Sequence, residues 1–405
     1  MNEFAAQHPI LVVALPKIVV LLFVLLTALA YLTWFERKVV AHIQARWGPY
    51  RVGPHGLLQP LADGVKFLFK EDVTPAGADK FAYFLAPFLA LSLAITSIAV
   101  IPFGPKEFSV FGQSTPLSIT NLNIGLLVLF AITSMGVYGV VLAGWASNSK
   151  YPLLGGLRSS AQMISYELPL SMAVAAPLLV CNTLSLQKLV EAQGGFYFGG
   201  VPKWNIVVAP VAFVIFVIAG FAETNRIPFD LPEAENELVA GFHTEYSSMK
   251  FAAFFMAEYA NMITVSCLAT ILFFGGWLSP FPDSWTWQNY LPGAGLLLLA
   301  AYCAYDTVMN LRGIAQIQFA VVTLLAAGGG AISLYPPAAA VIQGPFWFTT
   351  KILLILFFYI WMRGTLPRFR YDQLMSFGWK LLLPVSLANL VITAFVIIWP
   401  LLRHG

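Results

Sequence analysis

Long, nearly uninterrupted apolar runs set the pattern of this chain, and polar residues collect between the runs. Runs long enough to cross a bilayer, about 20 residues each, lie at roughly 10–33, 81–102, 123–146, 160–180, 204–222, 251–278, 345–362 and 381–402. Such continuous runs predict helices, because backbone groups in hydrocarbon must bond within their own segment, whereas barrel strands would alternate. Between the first two, residues 56–72 carry an apolar stripe of Leu57, Leu58, Leu61, Val65 and Leu68 and a polar stripe of Gln59, Asp63, Lys66 and Lys70. That is an amphipathic helix too short to cross, suited to the membrane interface. In 279–344, the apolar stretches Leu291–Asn310 and Phe319–Ile342 are interrupted by Asp306, Gly328-Gly329-Gly330 and Pro336-Pro337. The expected fold is an all-α polytopic membrane bundle of eight core transmembrane helices, with the interfacial helix and two extra helices in 279–344. A folded external loop is the competing reading of that insertion. The expected division is 1–278, 279–344 and 345–405.

Composition agrees: the 405 residues are 59% hydrophobic, 15% aromatic and only 10% charged, where a soluble domain would carry about 25% charged residues. Orientation follows from Lys and Arg, which collect in cytoplasmic connections. Arg37, Lys38, Arg46, Arg51, Lys66, Lys70 and Lys80 share the first connection; Lys150 and Arg158, Arg226 and Lys250, then Arg363, Arg368, Arg370 and Lys380 follow on the same side. The opposite side holds Lys106, Lys188, Lys203, Arg312 and Arg403, so both termini are expected outside. Ala28-Leu29-Ala30 resembles a signal-peptidase site, but Glu3 precedes the apolar core and the basic residues follow it, so the first helix is expected to be retained. Cys181, Cys267 and Cys303 are far apart in apolar sequence, and the five histidines lack metal-ligand spacing. No glycine-rich nucleotide loop follows a strand.

The candidate chemistry is acidic. Glu223, Asp230, Glu233, Glu235, Glu237 and Glu245 crowd into one connection between apolar runs. Asp230-Leu231-Pro232-Glu233 reads as a helix start, which would set Asp230, Glu233 and Glu237 on one face. Capping explains Asp230 and Glu233, and Arg226 is spaced to neutralise Glu223; Glu235, Glu237 and Glu245 stay unexplained. Glu36, Glu167 and Glu258 sit in or at the ends of spans. Each would cost about 2.5–3.5 kcal/mol if ionised at a lipid-facing helix centre, so each is expected to face the bundle interior. Clustering and desolvation would raise several of these pKa values, which suits a proton relay. On the interfacial helix, Asp63 and Lys66 are either a simple i,i+3 pair or part of an opening for an amphipathic ligand. The Gly- and Pro-rich loop before it sets Arg46 and Arg51 beside Trp47; these arginines suit lipid phosphate, a quinone carbonyl or a docked protein.

Several strings resemble one family: Glu36-Arg37-Lys38, Gln44 to Asp63, Ser147 to Arg158, Ala161 to Glu167, Ala222 to Leu231, Glu237 to Ser247, and Arg363 to Lys380. Over about residues 10–278 and 345–402 the chain looks like a membrane subunit of bacterial respiratory complex I, a proton-translocating NADH:quinone oxidoreductase, of the family that includes mitochondrial subunit 1. The resemblance implies a membrane subunit of the bacterial inner membrane, without its own redox cofactor, that forms a quinone chamber and couples quinone reduction to proton translocation. It places Glu36, Arg37, Arg46, Trp47, Asp63 and Lys66 at the chamber, and Glu167, Glu223, Asp230, Glu233, Glu235, Glu237, Glu245 and Glu258 in the coupling region. Quinone would be the substrate; NADH, FMN and iron–sulfur clusters would belong to partner subunits of the membrane arm and quinone module. Lipid is expected as a neighbour and nucleic acid is not. Two departures stand out: Tyr50 where the family usually has Asn, and a longer 279–344. The alternatives are the homologous subunit of an energy-converting hydrogenase and a stand-alone proton-coupled transporter, which would carry an inverted repeat that is not visible here.

Overall fold

The computed structural model describes residues 14–404 except 106–107, 111–112, 116, 198–199, 231–238, 283 and 310–312. Its helices, in order, are α1 (Leu15–Ile43), α2 (Gln59–Phe69), α3 (Lys80–Ile98), α4 (Gly125–Ala146), α5 (Lys150–Cys181), α6 (Leu186–Ala192), α7 (Pro210–Glu223), α8 (Ser248–Phe273), α9 (Leu291–Met309), α10 (Ile314–Leu334), α11 (Pro336–Thr365), α12 (Tyr371–Phe377) and α13 (Leu383–His404). A two-stranded hairpin pairs Phe108–Val110 with Gln113–Thr115. Nine helical stretches among the described residues are long and apolar enough to cross a membrane.

Three boundaries differ from expectation. Helix α1 runs on to Ile43, carrying Glu36, Arg37 and Lys38 inside its last turns, and α5 starts at Lys150, so its 32 residues reach about 48 Å. The expected 204–222 span is broken. Asn205–Val208 forms one short turn, Ala209 leaves helical geometry, and Pro210 begins the 14-residue α7. A proline ring cannot sit inside a helix without displacing the carbonyl four residues back, but it suits the first turn. At about 21 Å, α7 is shorter than the hydrocarbon layer. The same rule explains Pro336-Pro337, which open α11 instead of interrupting α10.

Helices α9 and α10 pack antiparallel as a hairpin, which in turn packs on α11. Elsewhere α3 packs on α4 and α8, α4 on α5, and α5 on α7 and α13. Small residues let these axes approach: at the α4–α5 crossing a Cβ on Gly144 would lie 2.6 Å from the carbonyl oxygen of Pro152. With lipid outside, such close packing replaces the hydrophobic drive that water supplies elsewhere. Ion pairs Lys250–Asp72 (2.9 Å) and Arg368–Asp230 (2.9 Å) put the connections before α3, after α7 and after α11 at one end. At the other end Lys351 is buried and donates to the carbonyls of Phe274 (2.7 Å), Gly276 (2.9 Å) and Leu278 (2.6 Å).

Candidate functional site

Four segments bring charges together where α1, α8 and α11 meet the connection after α7. Glu36, only 6% exposed, comes from α1; Glu258 and Tyr259 come from α8, Arg363 from α11, and Arg226 follows α7. Arg226 Nη1 lies 3.5 Å from Glu36 Oε2 and its Nε lies 3.0 Å from Glu258 Oε1. The same guanidinium sits over the Tyr259 ring, 4.2 Å from its centroid, while the Tyr259 hydroxyl donates to Glu36 Oε2 at 2.9 Å. Arg363 is the second cation on Glu36. Two arginines against two carboxylates leave this group balanced, as burial demands. The expected pairing of Arg226 with Glu223 is therefore replaced: the chain turns after Glu223, with Asn225 at positive φ, and aims Arg226 at α1 and α8.

Beside this group is a cavity of about 60 Å³ lined by Glu223, Thr224, Asn225, His243, Glu258 and Asn261 together with apolar side chains. It has room for water. Oε2 of Glu223 is buried without a hydrogen-bond partner among the described residues, so a proton or a water is needed to satisfy it. His243, on the turn Gly241–His243, packs edge-on to Phe242 (4.9 Å) and Phe251 (5.2 Å). Burial pushes its pKa down to about 4, which keeps the ring neutral near pH 7. The arrangement can hold, exchange and reorient protons around a fixed guanidinium.

The other expected residues divide into four groups. Arg37 reaches Asp63 of α2 at 2.7 Å, with Lys66 3.5 Å from the same carboxylate; α2 packs against α1 and α8 with Leu61 and Leu68 exposed. Arg46 bonds Gln44 (2.8 Å) and Trp47 is 78% exposed, so neither joins the buried group. Farther along, Glu167 accepts from Ser134, Asp230 pairs with Arg368, and Tyr83 donates to the backbone oxygen of Glu245 at 2.6 Å. Glu233, Glu235 and Glu237, and the helix expected to start at Asp230, lie outside the described residues. Sequence reasoning missed Arg363 and Arg368 as partners, having counted them only for orientation. It also missed Tyr259, His243 and Lys351. A signal was present in the first case: Arg363 stands at the end of an apolar run and Arg368 directly follows Pro367, which ends the helix.

A family model described as NADH dehydrogenase matches residues 16–394. The chain is 55% identical over 396 residues to the first of the NADH-quinone oxidoreductase H subunits of Solibacter usitatus (strain Ellin6076), covering 96% of this chain and 97% of that protein. It is 49% identical over 400 residues to the second NADH-quinone oxidoreductase H subunit of Koribacter versatilis (strain Ellin345), with 96% and 97% covered. Against the NADH-quinone oxidoreductase H subunit of Streptomyces avermitilis, identity is 46% over 376 residues, covering 92% and 70%.

Proposed function

Because this chain belongs to the NADH dehydrogenase family, as the H-type membrane subunit of an NADH-quinone oxidoreductase, we propose that it forms the quinone chamber and passes the charge change of quinone reduction to the proton-translocating part of the enzyme. The observation that carries this reading is Arg226 bridging Glu36 and Glu258 at the edge of a small cavity that Glu223 and Glu258 line. In this reading the Arg37–Asp63–Lys66 group on α1 and α2 stands at the mouth of the chamber, with Arg46 and Trp47 on the loop between those helices. An apolar ligand with a polar head arrives from lipid over the exposed Leu61 and Leu68, and the head meets the charges.

When a ligand changes charge, the carboxylates next to Arg226 change their proton affinity, since an opposite or like charge within a few ångströms shifts a carboxyl group by one or more pKa units. Glu223 and Glu258 line the same cavity; Glu167, Asp230 and Glu245 extend the acidic path in this reading, and Glu233, Glu235 and Glu237 are assigned to it from the sequence. The charged connections face the cytoplasm in this reading, with both termini on the periplasmic side. The partners are the other membrane-arm and quinone-module subunits, which carry NADH, FMN and iron–sulfur chemistry; lipid surrounds the rest.

The test is a gently purified complex from the native membrane, assayed for NADH oxidation with added quinone and for proton movement in vesicles. Inhibitor-sensitive turnover is expected, and replacing Glu235 and Glu237 with Gln should impair coupled turnover more than assembly. Undiminished pumping in that double variant would sink the relay; hydrogen evolution by the complex, or activity of the isolated chain, would replace the quinone reading altogether.

A further inference from the structure

Two features set apart in the sequence, Tyr50 and the 279–344 region, meet in space. Asp306 lies near the end of α9 in an otherwise apolar helix and is 3% exposed. Its Oδ2 is 2.5 Å from Nε2 of His55, on the loop between α1 and α2. The His55 ring stands edge-on to Tyr50 (5.4 Å) and packs against Phe319 of α10 (5.7 Å). Tyr50 in turn contacts Trp47 (6.4 Å) and receives Lys38 of α1 over its ring (5.6 Å). Leu57, Cys303, Ala315 and Phe319 form an apolar cluster separate from the main core. A carboxylate in an apolar helix is costly unless partnered, and here its partner reaches across 251 positions of sequence. The contacted loop carries Arg46 and Trp47, and α11, on which the hairpin packs, carries Arg363.

We propose that the α9–α10 hairpin fixes the loop at the mouth of the passage, with Asp306 as a positioning residue acting through His55, and that it thereby governs how a long isoprenoid-type tail passes that mouth. The proposal rests on the quinone-chamber reading. Quinone heads are small and shared by short-tailed analogues; only the long apolar tail must thread between the loop and the lipid while the head sits at the charges. Loosening the loop therefore changes use of the long-tailed substrate more than the chemistry.

The experiment uses the whole complex carrying Asp306→Asn, His55→Ala, both together, or the conservative His55→Gln, which keeps a donor toward Asp306. KM and kcat are measured with a long-tailed and a short-tailed quinone, and alkylation of buried Cys303 by N-ethylmaleimide is followed by peptide mass spectrometry. Expected are a rise in KM of about fivefold for the long-tailed quinone alone with kcat kept, faster alkylation of Cys303, a double variant no worse than either single, and partial rescue by Gln. Equal KM values for both quinones in assembled variants, a protected Cys303, or loss of assembly in every variant would overturn it. An intact complex that reduces quinone without inhibitor sensitivity would instead remove the chamber reading.

Discussion

Buried cations occur at both ends of this bundle, and their surroundings differ in kind. Lys351 donates to three backbone carbonyls just beyond the end of α8, over the face of Trp204 at 4.3 Å. Those carbonyls lie just past the C-terminus of α8, where the helix dipole favours positive charge. None of them can change protonation. Arg226 and Arg363 face carboxylates, and beside Arg226 lies a cavity that Glu223 and Glu258 line. In the first arrangement the partners of the cation cannot titrate; in the second they can, and there is space in which to rearrange. A buried charge points to function when its neighbours can change charge, and to architecture when they cannot.

The largest effect expected is at Lys351. Lys351→Met leaves three carbonyls without this donor and should cost about 1–3 kcal/mol for each that stays unsatisfied. Recovery of assembled complex from the membrane should fall steeply, with turnover per assembled complex nearly unchanged. Full recovery with lost turnover would reverse the comparison and give Lys351 a part in activity.

His243 tests the other end through pH. Its folded pKa of about 4 lies below the usual 6.5, so below pH 6.5 the unfolded chain takes up a proton that the folded chain resists. Stability therefore falls with acidification, by about 2 kcal/mol at pH 5 and about 3 kcal/mol by pH 4 from this residue alone. Thermal unfolding of the solubilised complex between pH 7.5 and 5 should show that slope, and His243→Gln should flatten it. An identical slope in the variant would assign the pH response to the carboxylates.

Arg226→Gln leaves Glu36 and Glu258 facing each other's surroundings without their shared cation. Protonation can relieve that, so assembly should survive while quinone reduction falls at least about tenfold, equivalent to about 1.4 kcal/mol in the barrier. Arg226→Lys should recover little, because one ammonium cannot reproduce a planar guanidinium that spans two carboxylates and stacks on Tyr259. Restoration by Lys would reduce the cluster to simple charge balance.

How much of this could be read beforehand follows from the physics of each part. Hydrophobic run length found the membrane helices because lipid imposes one length on all of them. It misjudged 204–222, where Pro210 divides an apolar run that hydropathy alone treats as continuous. The buried position of Glu36 was readable from its cost in lipid, but its partners were not: Arg363 lies 327 positions away, and helix packing makes that contact. Arg226 was assigned its nearest carboxylate in sequence, although a turn after a helix can redirect a side chain entirely. Lys351 escaped notice because a single Lys in an apolar run carries no signal of the carbonyls that will surround it.

The smallest effect sharpens the comparison from outside. Arg37 and Asp63 make an ion pair of 2.7 Å, close to the buried cluster, yet their side chains are 49% and 19% exposed. Water screens them, and such pairs contribute about 0.2–1 kcal/mol. Arg37→Gln should leave assembly and thermal stability almost unchanged and alter quinone turnover by no more than about threefold, while raising the dependence of KM on ionic strength least of all the charge variants. If the cluster's importance lay only in attracting a polar head group, this exposed pair would matter as much as Arg226. A small effect at Arg37 beside a large one at Arg226 would place the decisive step among the buried carboxylates, where one proton changes the partners of a fixed guanidinium.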